Sequence, residues 1–235
     1  TPPDPSGRVR TFYGAFHGYL IAESLLGAIL YFNHRLDIMV DRQRRKTWDR
    51  AAQAHTRLLR GRRVLLLGYG AIGRHCARVL KPFDVTIYGL QRKHKSGTDP
   101  ETGVEYVTIS RLDELLGRVE HVAAMLPGGA ETNNLLTRKR FGAMKPGAYF
   151  YNVGRGNCYA EEDLVWALDT GILGGAALDV FAREPLPADS PLWERGNVMI
   201  TPHSTCIYQD YLYLYYDELR ETLGNLFAQT GRERS

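Results

Sequence analysis

Residues 68–73 read GYGAIG and follow directly on the apolar run RRVLLL. In a strand–turn–helix setting, the first glycine of this spacing allows a tight turn and the second lets a pyrophosphate approach the backbone. The third lets the helix pack close to the strand, and the helix start offers N–H groups and a positive dipole end to phosphates. A glycine turn that serves packing alone is the alternative. The predicted dinucleotide-binding residues are Gly68, Gly70, Ala71, Ile72 and Gly73.

The rest of the chain alternates between apolar strand-like segments and helical patterns. Helical patterns at 111–116, 137–144 and 160–170 lie between several of the strand candidates. The six strand candidates after the glycine turn are 84–89, 104–109, 121–126, 148–153, 174–180 and 197–201. Apolar strands that alternate with helices indicate a parallel sheet covered on both faces. We therefore predict an α/β fold with a doubly wound parallel sheet, a Rossmann-type dinucleotide-binding domain.

The segments on either side of this pattern add helices. Residues 21–39 predict one long amphipathic helix, because apolar side chains recur there at helical spacing. Those side chains are Leu25, Ile29, Phe32 and Leu36. Residues 41–61 are polar and basic, which favours an extended arm containing a short helix. Residues 207–230 predict a closing helix with apolar positions along one side.

Composition is that of an ordinary soluble globular protein, with 44% hydrophobic and 24% charged residues among 235. The net charge of +4 is mild and implies no general affinity for DNA or anionic membranes. The three cysteines are too few and too scattered for a disulfide framework or a zinc site, so we predict no metal. The longest apolar run, LIAESLLGAILYF, is interrupted by polar residues and too short to span a membrane. These features favour a reducing cytoplasm.

The end of the second predicted strand bears on the choice between NAD and NADP. In such a unit an acidic residue at this point hydrogen-bonds the adenosine ribose, whereas an arginine nearby accommodates the 2′-phosphate of NADP. Gln91 stands where the acid belongs, and Arg92, Lys93, His94 and Lys95 follow it. The missing acid and the basic residues together favour NADP, with NAD possible, and Gln91, Arg92 and Lys93 are the predicted cofactor contacts. A solvated basic loop is the alternative.

Three segments in the downstream half occur in a set order: MKPGAYFYNVGRGNCYAEEDLVWAL, GGAALDVFAREPLP and NVMITPHS. Together with the glycine turn, the helical segment ahead of it and LPGGAETNNLL at 126–136, they resemble the D-isomer-specific 2-hydroxyacid dehydrogenases. This family includes glycerate, glyoxylate/hydroxypyruvate, phosphoglycerate and formate dehydrogenases. The resemblance runs from about Gly18 to about His203.

The resemblance implies three catalytic residues. The family's arginine falls on Arg155 of NVGRG, its glutamate on Glu184 of REPLP and its histidine on His203 of TPHS. Reduction of a 2-keto acid needs a proton donor, which suits His203, and a carboxylate beside the imidazole favours its charged form. A guanidinium suits the substrate carboxylate and keto oxygen. Taken singly, each could instead be an ordinary surface arginine, loop acid or structural histidine.

The resemblance also implies further cofactor contacts. These fall on Pro127, Thr132, Val153 and Asp179. Asp179, in ALDVF, would face the nicotinamide amide and set which face of the ring receives hydride. Two departures from the family pattern affect this region. Gly128 and Gly129 follow Pro127, which loosens the backbone there, and the stretch after His203 is unusually rich in tyrosine.

The resemblance implies a domain organisation as well. In the family the cofactor domain is inserted into a second, substrate-binding domain, and little of that domain is recognisable in this chain. We assign 1–206 to the dinucleotide-binding domain with its N-terminal helix and arm. We assign 207–235 to a C-terminal helix that would pack on the substrate domain. The chain is then either a fragment or a natural short relative that has given up substrate turnover.

The expected function follows from the resemblance: hydride transfer between NADP(H) and a small 2-keto or 2-hydroxy acid such as glyoxylate or hydroxypyruvate. The alternative is a nicotinamide-nucleotide-binding regulatory or scaffold module without turnover, comparable with the family's co-repressor members. The family also implies a homodimer in which 41–60 reaches across the partner with Trp48 as anchor, and we expect the dimer to form through the helix at 21–39 and this arm. The basic clusters at 42–46 and 57–63 leave nucleic-acid binding as another interpretation, though no stacking or groove motif supports it.

Overall fold

The computed structural model describes residues 14–92 and 97–232, and its centre is a seven-stranded sheet in the order β3-β2-β1-β4-β5-β6-β7. All neighbouring strands are parallel. The strands are β1 Arg63–Leu67, β2 Thr86–Leu90, β3 Glu105–Val107, β4 His121–Ala124, β5 Ala148–Asn152, β6 Leu173–Leu178 and β7 Val198–Ile200. This order and direction confirm the predicted doubly wound Rossmann-type fold, and every predicted strand is present in shortened form.

Helices cover both faces of the sheet. The helices are α1 His17–Asn33, α2 Leu36–Arg44, α3 Ala71–Leu80, α4 Leu112–Leu116, α5 Arg138–Gly142, α6 Glu161–Asp169 and α7 Tyr211–Arg232. Helices α1 and α3 pack on one face, and α4, α5 and α6 pack on the other. Alternate residues of β1 enter the two cores, with Leu65 and Leu67 on one side and Val64 and Leu66 on the other. A strand buried on both faces must be apolar throughout, which is what its sequence shows.

The prediction of one continuous helix over 21–39 is wrong, because the chain breaks between α1 and α2. Arg35 has a left-handed backbone with φ of 55°, which a continuous right-handed helix does not allow. The guanidinium of Arg35 holds Asp37 in the first turn of α2, at 3.0 Å and 2.8 Å. The apolar stripe therefore splits: Phe32 is buried in the core, whereas Leu36 is 41% exposed.

The arm that follows α2 contains a short 3-10 helix at Ala51–His55, as the sequence predicts. The C-terminal helix α7 begins later than predicted, and it contacts the start of α1. Glu218 accepts hydrogen bonds from the amides of Ala15 and Phe16 at 2.7–3.0 Å. Within the part of the chain that the structure describes, no helix combines the length and apolar character needed to cross a bilayer.

Candidate active site

The predicted glycine turn lies between β1 and α3 and has the shape that a dinucleotide requires. Gly68 has φ of 101°, and a β-carbon there would lie 2.8 Å from the carbonyl oxygen of Met125. A β-carbon on Gly73 would lie 2.9 Å from the carbonyl oxygen of Gly68. At Gly70, by contrast, no described atom outside Gly70 and its two chain neighbours lies within 4 Å of the β-carbon position. The backbone is therefore open at the second glycine, where the pyrophosphate would approach, and closely packed at the other two.

The N-terminus of α3 faces the same opening. The helix begins at Ala71, which is exposed, and Ile72 is half-buried. Among the described residues no side chain caps this helix start. Its first amides and the positive end of its dipole are thus available to an anion. The residues present fit a dinucleotide phosphate at this position.

Tyr69, between the first two glycines, is a supporting residue that sequence reasoning missed. Its ring is buried against Gly89 of β2, where an added β-carbon would lie 2.5 Å from the ring. Its hydroxyl lies 3.1 Å from the carboxylate of Asp99 and 2.6 Å from the hydroxyl of Thr102. Arg74 of α3 donates to the same carboxylate at 2.9 Å. This network fixes the glycine turn to the segment that follows the basic stretch.

Gln91 lies directly after β2, as predicted for the residue facing the adenosine ribose. Its amide donates to the carbonyl of Val107 at 3.2 Å. Its side-chain Nε2 is buried and has no acceptor within residues 14–92 and 97–232. A buried donor without an acceptor costs free energy, so an acceptor on a ligand would be favoured there. Lys93, also predicted to contact the cofactor, lies outside the described residues together with His94 and Lys95.

Arg92 is exposed and forms an ion pair with Glu131, with 2.5 Å between Nη1 and Oε2. Glu131 belongs to the loop after β4 that also carries Pro127 and Thr132. Pro127 is exposed, and the hydroxyl of Thr132 donates to the carbonyls of Pro127 and Gly129 at 2.7 Å and 3.0 Å. In this structure Thr132 therefore holds the loop in shape. The contacts of Pro127 and Thr132 with a cofactor stay predictions.

Glu184 and His203, predicted to be an acid–base pair, lie together after β6 and β7, while their catalytic role stays a prediction. His203 Nδ1 lies 2.7 Å from Glu184 Oε2, and both side chains are partly exposed, 43% and 35% respectively. The backbone at His203 is left-handed, with φ of 52°, and its amide donates to the carbonyl of Asp179 at 2.8 Å. The second imidazole nitrogen, Nε2, is thus the one left to face a substrate.

Glu184 is held as a carboxylate. Burial works to raise its pKa, but the hydrogen bonds from His203 and from the Phe181 amide outweigh burial and bring the pKa below its usual range. The Phe181 amide lies 2.9 Å from Oε1. The Glu184 carboxylate thus contacts Nδ1 of His203 and fixes the orientation of the imidazole ring.

Arg155 lies three residues after β5 and is exposed at the same edge of the sheet. Its turn is shaped by Asn152, whose side chain accepts from the Gly154 amide at 3.1 Å and donates to the Arg155 carbonyl at 3.0 Å. Gly156 brings the turn against Phe181, since a β-carbon there would lie 1.9 Å from the Phe181 carbonyl carbon. The loops of Arg155 and Glu184 are therefore in direct contact. The guanidinium of Arg155 donates a hydrogen bond to the carbonyl of Gly154 at 2.7 Å.

Asp179 is buried at the end of β6 and binds the loop that carries His203. Its carboxylate accepts hydrogen bonds from the hydroxyls of Thr201 and Thr205, at 2.6 Å and 2.7 Å, and from the Ser204 amide at 2.9 Å. The sequence interpretation did not anticipate these contacts. They make Asp179 a support for His203, while its predicted contact with the nicotinamide amide stays a prediction.

A cavity of about 210 Å³ lies beside Asp179, between α1 and the carboxyl ends of β5, β6 and β7. Val153 and Asp179, two of the predicted cofactor-binding residues, both line it. Its other walls include Leu25 and Ala28 of α1, Tyr151 of β5 and Met199 of β7. The lining is mostly apolar, and its polar side chains include Ser24, Asp179, Thr201 and Thr205. This combination suits a flat ring that carries one amide.

The predicted site residues that the structure describes thus occupy one edge of the sheet. The glycine turn, Gln91 and Arg92 follow β1 and β2, and Arg155, Asp179 and His203 follow β5, β6 and β7. Ligands of open α/β sheets bind outside the carboxyl ends of the strands, where the strand order reverses. Here β1 and β4 are neighbours and lie at that reversal. The edge is therefore the expected site for an extended dinucleotide, with His203 and Glu184 in contact at one end.

Comparison with known proteins agrees with this geometry. Residues 26–205 match the family model described as "D-isomer specific 2-hydroxyacid dehydrogenase, NAD binding domain". The chain is 36% identical to a glyoxylate reductase from Thermofilum pendens over 188 residues, which are 78% of this chain and 54% of that protein. The chain thus spans about half the length of that curated relative.

Solved structures give the same result. A D-isomer specific 2-hydroxyacid dehydrogenase from Xanthobacter autotrophicus, in complex with NADPH and MES, is 33% identical with a TM-score of 0.74. The match covers 82% of this chain and 59% of that one. An NADPH-dependent glyoxylate/hydroxypyruvate reductase from Sinorhizobium meliloti, in apo form, is 26% identical with a TM-score of 0.73; the match covers 84% and 98% of the two chains. The chain belongs to the D-isomer specific 2-hydroxyacid dehydrogenase family and contains its nicotinamide-dinucleotide-binding domain.

Proposed function

We propose that this chain supplies the cofactor domain and the acid–base pair of an NADP(H)-dependent reductase of small 2-keto acids such as glyoxylate or hydroxypyruvate. The observation that carries the proposal is the contact of 2.7 Å between His203 and Glu184, at the same sheet edge as the glycine turn. A histidine paired with a carboxylate, at the sheet edge that also carries a dinucleotide turn, is an arrangement suited to ketone reduction.

The residues divide the chemistry as follows. A nicotinamide ring bound at this edge supplies the hydride. His203 Nε2 donates a proton to the keto oxygen of the substrate, because Nδ1 is engaged by Glu184. Glu184 stabilises the protonated imidazole and fixes its orientation. Arg155 binds the substrate carboxylate through guanidinium N–H groups other than the Nη1 group that donates to the Gly154 carbonyl.

The preference for NADP over NAD rests on the end of β2. Gln91 carries no charge where a carboxylate would repel a phosphate, and Arg92 can bind that phosphate. The Xanthobacter autotrophicus relative is described in complex with NADPH, and the Sinorhizobium meliloti relative is described as NADPH-dependent. Both support the proposal without deciding it for this chain.

The test is oxidation of NADPH with glyoxylate and with hydroxypyruvate as substrates, followed by absorbance. It is run on this chain and on the complete product of its gene. Turnover that depends on His203 in either protein supports the proposal. A protein that binds NADPH yet turns over neither substrate in both forms would instead indicate a regulatory module.

The apolar surface of α7 is the observation that favours such a module. Its exposed residues include Leu212, Tyr213, Tyr216 and Phe227, at 49–71% exposure. Exposed patches of this kind mark interaction sites. In the enzyme proposal the same surface of α7 packs on the substrate domain.

We also propose a homodimer formed by α2 and the arm. Helix α1 buries one apolar side in the core, whereas Leu26 and Leu30 are half-buried and Tyr19 is 53% exposed. Further exposed apolar side chains follow at Leu36, Val40, Leu58 and especially Trp48, which is 90% exposed. Sedimentation at roughly tens of micromolar should show a dimer that Trp48→Ala weakens. A monomeric wild-type chain would contradict this assembly.

A further inference from the structure

The loops after β2 and β4 are joined by one ion pair. Arg92 Nη1 lies 2.5 Å from Glu131 Oε2, and the two side chains are 82% and 71% exposed. The sheet order places β1 between β2 and β4. The pair therefore spans the end of β1, which is where the glycine turn at 68–70 begins.

Glu131 is positioned by a hydrogen-bonded turn. The amides of Thr132 and Asn133 donate to the carbonyl of Gly129 at 3.1 Å and 3.0 Å, and the Thr132 hydroxyl closes the same turn. The amide of Asn134 donates to the carbonyl of Asn157 at 2.9 Å, which ties the turn to the segment after Arg155. The backbone thus holds the carboxylate on the β4 side of the cleft.

Arg92 is the residue proposed above to bind the 2′-phosphate of NADP. The adenosine ribose of a dinucleotide lies against the residues that follow β2. A guanidinium paired with Glu131 must either release that carboxylate or hold it beside an incoming phosphate dianion. In both cases the negative charge of Glu131 opposes the phosphate, and it does not oppose a ribose with a free 2′-hydroxyl.

We propose that Glu131 is a specificity-determining residue that competes with the 2′-phosphate for Arg92 and so lowers the preference for NADPH over NADH. This inference rests on the proposed binding of NADP at this edge. Glu131→Gln keeps the size and hydrogen-bonding capacity of the side chain and removes its charge. An exposed ion pair is weak, so the expected gain in NADPH affinity is about two- to fivefold, with NADH affinity unchanged.

The experiment measures dissociation constants by calorimetry for NADPH, NADH, 2′,5′-ADP and ADP. The two adenosine nucleotides separate the 2′-phosphate from every contact of the nicotinamide half. The proteins are wild type, Glu131→Gln, Arg92→Ala and the double variant. Glu114→Gln is the matched control, because Glu114 also pairs with arginines on the surface, Arg111 and Arg118, and its loss changes the net charge equally.

Competition predicts that Glu131→Gln tightens NADPH and 2′,5′-ADP about two- to fivefold and leaves NADH and ADP unchanged. The gain should disappear when Arg92 is alanine, and Glu114→Gln should have no such effect. Weaker NADPH binding by Glu131→Gln would show that Glu131 presents Arg92 to the phosphate, which overturns the proposal. Unchanged NADPH binding by Glu131→Gln overturns the proposal as well. So does a gain of equal size when Glu131→Gln is combined with Arg92→Ala.

The same data separate this inference from the proposed function. If Arg92→Ala loses the preference for NADPH while Glu131→Gln changes nothing, only the competition is wrong. If Arg92→Ala has no effect on NADPH, the proposed selection of NADP by Arg92 fails. If neither NADPH nor NADH binds the wild-type chain, the cofactor site and the competition are both overturned.

Discussion

Two histidines at opposite edges of the sheet show how environment decides what an imidazole can do. His203, at the carboxyl edge, is 43% exposed and bound to a carboxylate at 2.7 Å. His121, which opens β4 at the amino edge, is buried and lies 3.0 Å from the hydroxyl of Tyr151. The first has a charged partner and access to solvent, so it can exchange protons. The second has neither, so it serves packing.

The surroundings of His121 explain its behaviour. The ring stacks on Tyr149, and burial lowers its pKa to about 4, with Glu120 opposing the shift and Arg62 and Arg57 adding to it. The carboxylate of Glu120 forms ion pairs with Arg63, at 3.0 Å, and with Lys145. A buried imidazole beside a carboxylate that two cations already neutralise remains uncharged at neutral pH.

The largest expected effect is on turnover at the carboxyl edge. Replacing His203 by Ala in an active form should lower kcat by roughly 10²–10⁴-fold and leave cofactor affinity nearly unchanged, because the proton donor is lost. His203→Asn should behave the same and tolerates the left-handed backbone. Steady-state kinetics and cofactor titration measure the two quantities. His121→Gln is the control variant and should keep the turnover of the wild type. A His203 variant with near-normal kcat would contradict the catalytic role proposed for His203.

The next effect concerns stability at the amino edge. Since the folded pKa of His121 lies near 4 and the unfolded value near 6.5, the unfolded chain binds the extra proton between those values. Stability should therefore fall by about 2 kcal/mol as pH drops from 7 to 5, and His121→Gln should remove that part of the dependence.

Denaturant unfolding of both proteins at several pH values measures this difference. Carboxylates change stability at lower pH than His121 does. Burial raises the pKa of Glu120, but Arg63 and Lys145 bring it down to about 2. The contribution of Glu120 to stability is therefore lost only below about pH 4.5. Parallel pH profiles for wild type and His121→Gln would show that His121 is not buried and neutral.

A third effect concerns cofactor choice at the carboxyl edge. One charge-assisted phosphate contact corresponds to about a ten- to hundredfold preference, so Arg92→Ala should erase most of the preference for NADPH and spare NADH. Gln91→Asp should turn the site towards NADH, because an acid accepts ribose hydroxyls and repels the phosphate. Added salt should shrink the wild-type preference. If Arg92→Ala and Gln91→Asp bind both cofactors as the wild type does, Arg92 belongs to a solvated loop and does not select the cofactor.

The smallest effect is on the pH profile. Glu184→Gln removes the carboxylate beside His203, so the pH optimum of kcat/KM should shift. His121→Gln should leave the profile in place. An unshifted profile for Glu184→Gln would mean that the carboxylate only orients the ring.

The same contrast separates what the sequence could predict from what it could not. Strands and the glycine turn follow from local patterns, as RRVLLL before GYGAIG shows, and NVGRG and TPHS locate Arg155 and His203. Contacts between distant residues leave no local pattern. Tyr69 contacts Asp99, which lies 30 residues further along the chain, and Arg92 contacts Glu131, which lies 39 residues further along. Asp179 binds a loop more than 20 residues away in sequence. The helix break at Arg35 was missed because apolar spacing continues across it to Leu36.

The central claim is that the carboxyl edge of the sheet is an NADP-selective cofactor site, and direct titration of the wild-type chain tests it. Nicotinamide fluorescence is followed as the chain is added to NADPH and, separately, to NADH at low salt. We predict saturable binding of both, with NADPH at least about tenfold tighter. Equal affinity for the two would contradict the selectivity, and no binding of either would contradict the site itself.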